Sequence, residues 1–270
     1  MKKTVSLIVP VYKKQAIAKK CILMQLKSLN QICQKKDLNY ELIAVIDGNM
    51  DKSRDEILSI KDKHLKLLHY EYNRGKGFAV RYGMMKAKGD YIGFIDMGLD
   101  ISTNCIKHMV RSICDKNNSI VVGSKKHPKS KLQYTTKRKL FSWGYSLLVQ
   151  LTTGIKYTDT QVGAKMFKRE LIDSVLPRLL VKRYAFDVEI LSVANRLGYK
   201  THKDIPVEID FTIDISSATN MKTIINMIKD TLAVFYRMKI LHYYDDHNKH
   251  KWSNSLYDLI SIPNLYQASK

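Results

Sequence analysis

One stretch limits what this chain can fold into more than any other: residues 70–102, YEYNRGKGFAVRYGMMKAKGDYIGFIDMGLDIS. It reads as a strand end, a basic glycine loop, a short helix, a strand and an acidic turn. Gly75 and Gly77 flank Lys76, so the backbone can approach a ligand closely while Lys76 and Arg74 supply positive charge. The N–H groups that open the helix FAVRYGMMKA are placed to face an anion. YIGFID is an apolar, β-favouring run that delivers Asp96 to its carboxyl end, with Asp100 following in the turn. Ligands of open α/β sheets bind at that edge. A basic loop and an acidic turn meeting there suggest a phosphate-rich ligand, with a divalent cation between carboxylate and phosphate. Each piece alone has a plainer reading: a Gly-Lys-Gly turn, Asp96 as a cap, Asp100 in an N-cap region.

The rest of the chain alternates strands and helices in the same way, which predicts a mostly parallel sheet. TVSLIVPVY is the first strand, followed by an amphipathic helix over residues 16–33. ELIAVID is the second strand and ends at Asp47, which either accepts N–H bonds from a base or serves as a turn or cap residue. A helical stretch over residues 54–60 and the strand LKLLHYEY lead into the central stretch. Beyond it come a helix through 107–114, the strand SIVVGS, a short strand after Gly163, and a helix that opens with Asp187 and Glu189. Carboxylates in a first helical turn are often simple dipole partners. THKDIPVEIDF reads as a last strand, with Pro206 marking an edge or end.

At 270 residues the chain suits one large α/β domain with a C-terminal extension. We divide it at 1–215 and 216–270. In the extension MKTIINMIKDTLAVFYRMKIL carries an apolar stripe and reads as an amphipathic helix, packed on the sheet or lying on a membrane. HYYDDHNKHKW reads as a solvated, turn-like tail rather than a metal site, and SLYDLISIPNLYQASK as a short docking helix. The formal charge is +21, from 46 Lys+Arg against 25 Asp+Glu, which favours phosphorylated substrates or an anionic membrane surface. No nucleic-acid motif accompanies it, so no nucleic-acid partner is expected. Lys125, Lys126, Lys129 and Lys131, then Arg138 and Lys139, head the apolar segment KLFSWGYSLLVQLTTG, either an interfacial helix or a buried one. No apolar run has the length of a bilayer span and the N-terminus lacks a signal-peptide pattern. Cys21, Cys33, Cys105 and Cys114 form no CxxC pair. These features predict reduced thiols and a cytoplasmic protein, peripheral on the inner face of a membrane.

Several motifs, in order, resemble the inverting family-two glycosyltransferases of the GT-A fold, in particular the dolichol-phosphate glucosyltransferases and mannose synthases. NRGKGFAVRYG matches that family's N-x-GKG-x-AVR-x-G segment. VVGSKK is similar to VVGSR, DTQVGAKMF to DTQCGFKLF, and YAFDVEIL to WAFDVEIL. SLIVPVY resembles the opening strand, and VIDGNMD the DDGS-x-D turn. The resemblance implies a Rossmann-like GT-A sheet flanked by helices, a nucleotide-sugar donor (a UDP- or GDP-sugar) and a Mg2+ or Mn2+ ion. It implies that Pro10 and Tyr12 belong to the donor-binding strand end, that Asp47 contacts the base, and that Lys76 and Arg81 lie near the nucleotide. Asp96 would bind the metal–diphosphate unit with Asp100 as a second ligand. Lys125 and Arg138 would face phosphate, Asp159, Thr160 and Gln161 would line the sugar and metal side, and Asp187 and Glu189 would border the reaction centre. Four departures stand out. Gly98 occupies the place of the second acidic residue of the DADL motif, Ile46 that of the first Asp of DDG, and Lys13-Lys14 that of Asn-Glu. The W-x-x-x-x-GSK stretch expected after IPVE is absent.

A polyprenyl-phosphate acceptor is ionised near neutral pH and needs positioning more than a strong base. A sugar-hydroxyl acceptor needs a carboxylate base, and Asp187 or Glu189 is the candidate. The motif wording favours the lipid phosphate, reached by peripheral docking or through a membrane-protein partner. The alternatives are a family-two transferase acting on a glycan or protein hydroxyl, and a non-catalytic nucleotide-binding relative.

Overall fold

The computed structural model describes residues 2–98, 101–133, 136–155, 157, 159–210, 221–253 and 267–268; at 133, 136–143, 210 and 267–268 it describes the backbone alone. The chain begins with β1 (Thr4–Val11), α1 (Ala18–Lys36), β2 (Asn39–Asp47), α2 (Ser53–Leu58) and β3 (Leu65–Tyr70). Next come α3 (Lys76–Lys86), β4 (Tyr91–Ile95), α4 (Asn104–Ile113) and β5 (Ile120–Ser124). β6 (Lys131–Gln133), α5 (Thr136–Thr153), β7 (Ala164–Lys168), α6 (Arg169–Val175) and α7 (Phe186–Arg196) follow. β8 (His202–Pro206), β9 (Glu208–Asp210), α8 (Met221–Lys239), α9 (Lys249–Trp252) and β10 (Gln267–Ala268) complete the order.

The main sheet runs β10-β3-β2-β1-β4-β7-β5-β8. Its strands are parallel except β7, which is inserted antiparallel between β4 and β5, and β10, which is antiparallel at the edge. Strands covered on both faces read as near-continuous apolar runs, and TVSLIVPV and ELIAVID do. Alternate residues then feed separate cores. Ile8, Ile43 and Val45 pack with α3 and α7 on one face. Leu7, Val9, Leu42 and Ala44 pack with α1 and α4 on the other. β1 lies between β2 and β4, so the chain leaves it in opposite directions on its two sides. A crevice opens beyond the carboxyl ends at such a switch point. Tyr12 and Asp96 flank it.

Two expectations are corrected. THKDIPVEIDF is not one strand: β8 pairs with β5, and after Pro206 the chain leaves the sheet so that β9 pairs with β6. Val207 marks the break; its N–H goes to Ser130 Oγ and its carbonyl accepts from Lys131 N–H. HYYDDHNKHKW is not a solvated tail either. Tyr244 (0 % exposed) and Trp252 are buried, the Arg178 guanidinium lies 4.0 Å over the Trp252 ring, and Arg196 makes a two-point pair with Asp245. α8 adds Val234 and Met238 to the same core as α3 and α7. Residues 254–266 lie outside the description, and with them most of the expected docking helix.

Candidate donor site at the carboxyl edge of the sheet

Four alternating charges form the centre of the site. Lys76, at the first position of α3, reaches Asp96 Oδ2 and Asp187 Oδ2, each at 3.0 Å. The other oxygen of Asp187 accepts from Lys165 Nζ at 2.6 Å, and Lys165 also donates to the Val162 carbonyl at 2.7 Å. Both ammonium groups lie 5.5 Å from the centre of the Phe94 ring. Lys165 is 0 % exposed and Asp187 2 %, whereas Asp96 keeps 35 % of its side chain open. The series Asp96–Lys76–Asp187–Lys165 is neutral as a set, which is how charges persist in a dry interior. Burial would lower the Lys76 ammonium, but Asp187 and Asp96 outweigh it and hold its pKa above the ordinary lysine value. For Lys165 burial wins, reinforced by the like charge of Lys76, and its pKa falls below the ordinary value despite Asp187.

Backbone geometry fixes this cluster. Gly75 has φ +100°, and a Cβ there would lie 2.4 Å from the Lys182 carbonyl oxygen, so only glycine fits. Gly163 begins the approach to β7 and accepts from Asp96 N–H at 2.8 Å; a Cβ on it would lie 1.8 Å from Asp96 Oδ2. The second group of expected residues sits alongside. Asp159 accepts from Lys125 N–H (3.1 Å) and Gln161 N–H (2.9 Å), and the Lys125 ammonium lies 3.5 Å from the same carboxylate. The charge of Asp159 also reaches Lys165. Tyr12 is exposed just past β1, with the Lys13 ammonium 5.5 Å from its ring, and Pro10 is half-buried in the strand behind it.

Three further expected site residues are buried. Asp47 is buried, and its carboxylate accepts from Tyr70 Oη (2.9 Å), Asn73 Nδ2 (2.9 Å), Arg74 N–H (2.7 Å) and Gly75 N–H (3.0 Å). It thus takes the cap role that the sequence left open: its own charge answers the loop amides, and Lys182 O answers Phe78 N–H. Arg81 is buried within α3, where its charge acts on the Tyr243 phenol. Glu189 is fully buried and bonded to Leu180 and Val181 N–H and to Tyr244 Oη. Asp100 lies outside the described residues, and so does the side chain of Arg138. Lys165 is the residue the sequence reading missed. Its signal was a lysine within the apolar strand AKMFK, where a buried charge demands a partner.

Among the described residues no group of three His, Cys, Asp or Glu side chains could hold a metal. Asp96 is the open carboxylate of the cluster. Mg2+ is usually held by one or two carboxylates together with substrate phosphates, so the residues fit a cation that arrives with a diphosphate rather than one caged by protein.

Comparison with known proteins places the chain in a family. Residues 6–176 match the family model "Glycosyl transferase family 2". A dolichyl-phosphate beta-glucosyltransferase of Dictyostelium discoideum is 32% identical over 249 residues, 86% of this chain and 74% of that protein. One from Saccharomyces cerevisiae is 26% identical over 264 residues, 90% and 77% of the two chains. The glucosyl-3-phosphoglycerate synthase of Mycobacterium tuberculosis, solved with Mn2+, UDP and glucosyl-3-phosphoglycerate, superposes with a TM-score of 0.63. It is 17% identical, over 87% of this chain and 79% of that one, and so shares the fold. The motif order, the Rossmann-like GT-A sheet and these matches lead to one conclusion: the chain belongs to glycosyltransferase family 2 and is a glycosyltransferase.

Proposed function

We propose that this glycosyltransferase moves a sugar, with inversion, from a nucleoside-diphosphate donor to a polyprenyl phosphate. The observation that carries the choice of acceptor is the state of Asp187. Both of its oxygens are bonded to ammonium groups and it is 2 % exposed, so it cannot take a proton from a hydroxyl without breaking a buried ion pair. Glu189 is equally committed. An acceptor that is already ionised needs no such base. The relatives named dolichyl-phosphate beta-glucosyltransferase support the same acceptor class and put glucose first among the sugars. UDP in the Mycobacterium tuberculosis synthase puts a UDP-sugar first among donors.

In this reading Tyr12 lies at the base and ribose side of the crevice, and Lys76 neutralises the diphosphate as it leaves. A divalent cation at Asp96, bound with the donor, would supply further positive charge to the leaving diphosphate. Asp187 and Lys165 hold Lys76 in place, and Lys125, set by Asp159, faces the acceptor phosphate. Calorimetric titration of UDP and GDP, each with and without Mn2+, tests the donor half. Tight binding of one nucleotide only when the metal is present is the expected result; no binding of either by folded protein would refute it.

No helix among the described residues is long and apolar enough to cross a membrane. In our reading the lipid phosphate is reached from the surface, on the inner, cytoplasmic face. α8 exposes Ile225, Leu232 and Tyr236 beside Lys222, Lys229 and Lys239, and it is tied through Thr231 to Tyr145 of α5, which exposes Leu147 and Leu151. An apolar face ringed by lysines suits an anionic bilayer. Changing Leu151, Leu232 and Tyr236 together to Ser should abolish co-sedimentation with anionic vesicles. Undiminished co-sedimentation would count against this surface and in favour of a membrane-protein partner.

A further inference from the structure

Glu189 follows Asp187 by two positions on α7, yet it does a different job. It is 0 % exposed, and its Oε2 accepts from the N–H groups of Leu180 (3.0 Å) and Val181 (2.8 Å). Its Oε1 accepts from Tyr244 Oη at 2.8 Å and pairs with Arg237 at 3.4 Å. Arg237 Nε also donates to Tyr244 Oη at 3.0 Å, which closes a three-residue ring of hydrogen bonds. One carboxylate thus joins α8 and the segment after it to the loop that precedes α7. That loop in turn walls the glycine loop. Lys182 O accepts from Phe78 N–H at 3.1 Å. A Cβ on Gly77 would lie 2.8 Å from Val181 O, 2.9 Å from Arg183 O and 2.5 Å from Phe186 Cβ. Consecutive carbonyls of residues 181–183 therefore fix the backbone on either side of Lys76.

We propose that Glu189, Arg237 and Tyr244 are positioning residues, a clasp through which the C-terminal segment holds loop 180–183 against the glycine loop and so sets Lys76 for the donor. The last link rests on the donor reading above; the clasp itself does not. The chain's own sites offer a probe, because Lys182 and Arg183 are exposed and trypsin cleaves after them.

Tyr244→Phe removes the hydroxyl and keeps the buried ring; Arg237→Met removes the cation and keeps its stem, and serves if the first variant folds poorly. Ligand-free protein is digested briefly with trypsin, and UDP binding with Mn2+ is titrated on the same preparations. Cleavage at 182–183 should accelerate, and the Kd for UDP should weaken about tenfold. In kinetics kcat at saturation should fall along with kcat/KM, because Lys76 acts on the leaving diphosphate. A lowered Tm with unchanged Kd, in protein whose unaltered form binds UDP, would overturn the proposal and leave a merely structural contact. Unchanged cleavage would overturn it as well. Faster cleavage in a protein whose unaltered form binds neither UDP nor GDP would uphold the clasp and remove the donor reading instead.

Discussion

Asp187→Asn is expected to destabilise the fold by about 3–5 kcal/mol, the usual cost of removing one member of a buried pair. Lys165 is fully buried and has Asp187 as its charge partner at 2.6 Å, with the Val162 carbonyl as its other acceptor. An amide at position 187 leaves that ammonium uncompensated. For a domain of this size the loss should lower Tm on the order of ten degrees. Replacing both members, Lys165→Met with Asp187→Asn, should recover much of it, because an apolar side chain in place of a buried pair is often close to neutral. Thermal unfolding of the two variants checks this. A single Asn variant as stable as the unaltered protein would contradict the account of the cluster. The consequence for kinetics is direct: lost activity in the single variant reports a disturbed cluster, not a missing base, unless the double variant loses it equally at full stability.

Lys76→Met should have the largest effect on turnover. The ammonium bridges Asp96 and Asp187 before any donor arrives. Removing a preorganised group that stabilises developing charge costs roughly 100- to 1,000-fold in kcat, and a drop of that size in kcat/KM is expected here. Stability should fall less than for Asp187→Asn, since Asp187 keeps Lys165 and Asp96 is partly open to water. Steady-state kinetics beside the UDP titration separate the two contributions. Near-normal turnover in Lys76→Met would mean that the diphosphate leaves toward another group.

The fold was legible because its signals are local. Buried parallel strands such as ELIAVID read as apolar runs, and NRGKG followed by a helix and YIGFID fixes a loop at a strand end. The carboxylates were legible as a set but not in their roles. Asp187 and Glu189 are two apart on α7, and residues so spaced do not share a helix face. One turns to Lys76 and Lys165, the other to Tyr244 and Arg237, partners far away in sequence. Asp47 was readable either way, and in the structure it accepts from the amides of residues 74 and 75. The segment after α8 misled because its composition is polar. Tyr244 and Trp252 are buried by Arg178 and Glu189, contacts that no local pattern announces.

The most direct test of the central claim is sugar transfer itself. Purified protein would be given UDP-glucose or GDP-mannose with Mg2+ or Mn2+, a polyprenyl phosphate in anionic vesicles, and in parallel the matching polyprenol and a set of free glycans. The account predicts one metal-dependent product, a glycosyl polyprenyl phosphate of inverted anomeric configuration, with UDP-glucose as the donor and none from the alcohol or the glycans. Transfer to a hydroxyl acceptor with no turnover of the lipid phosphate would contradict it, and would require a base that neither Asp187 nor Glu189 provides in this structure.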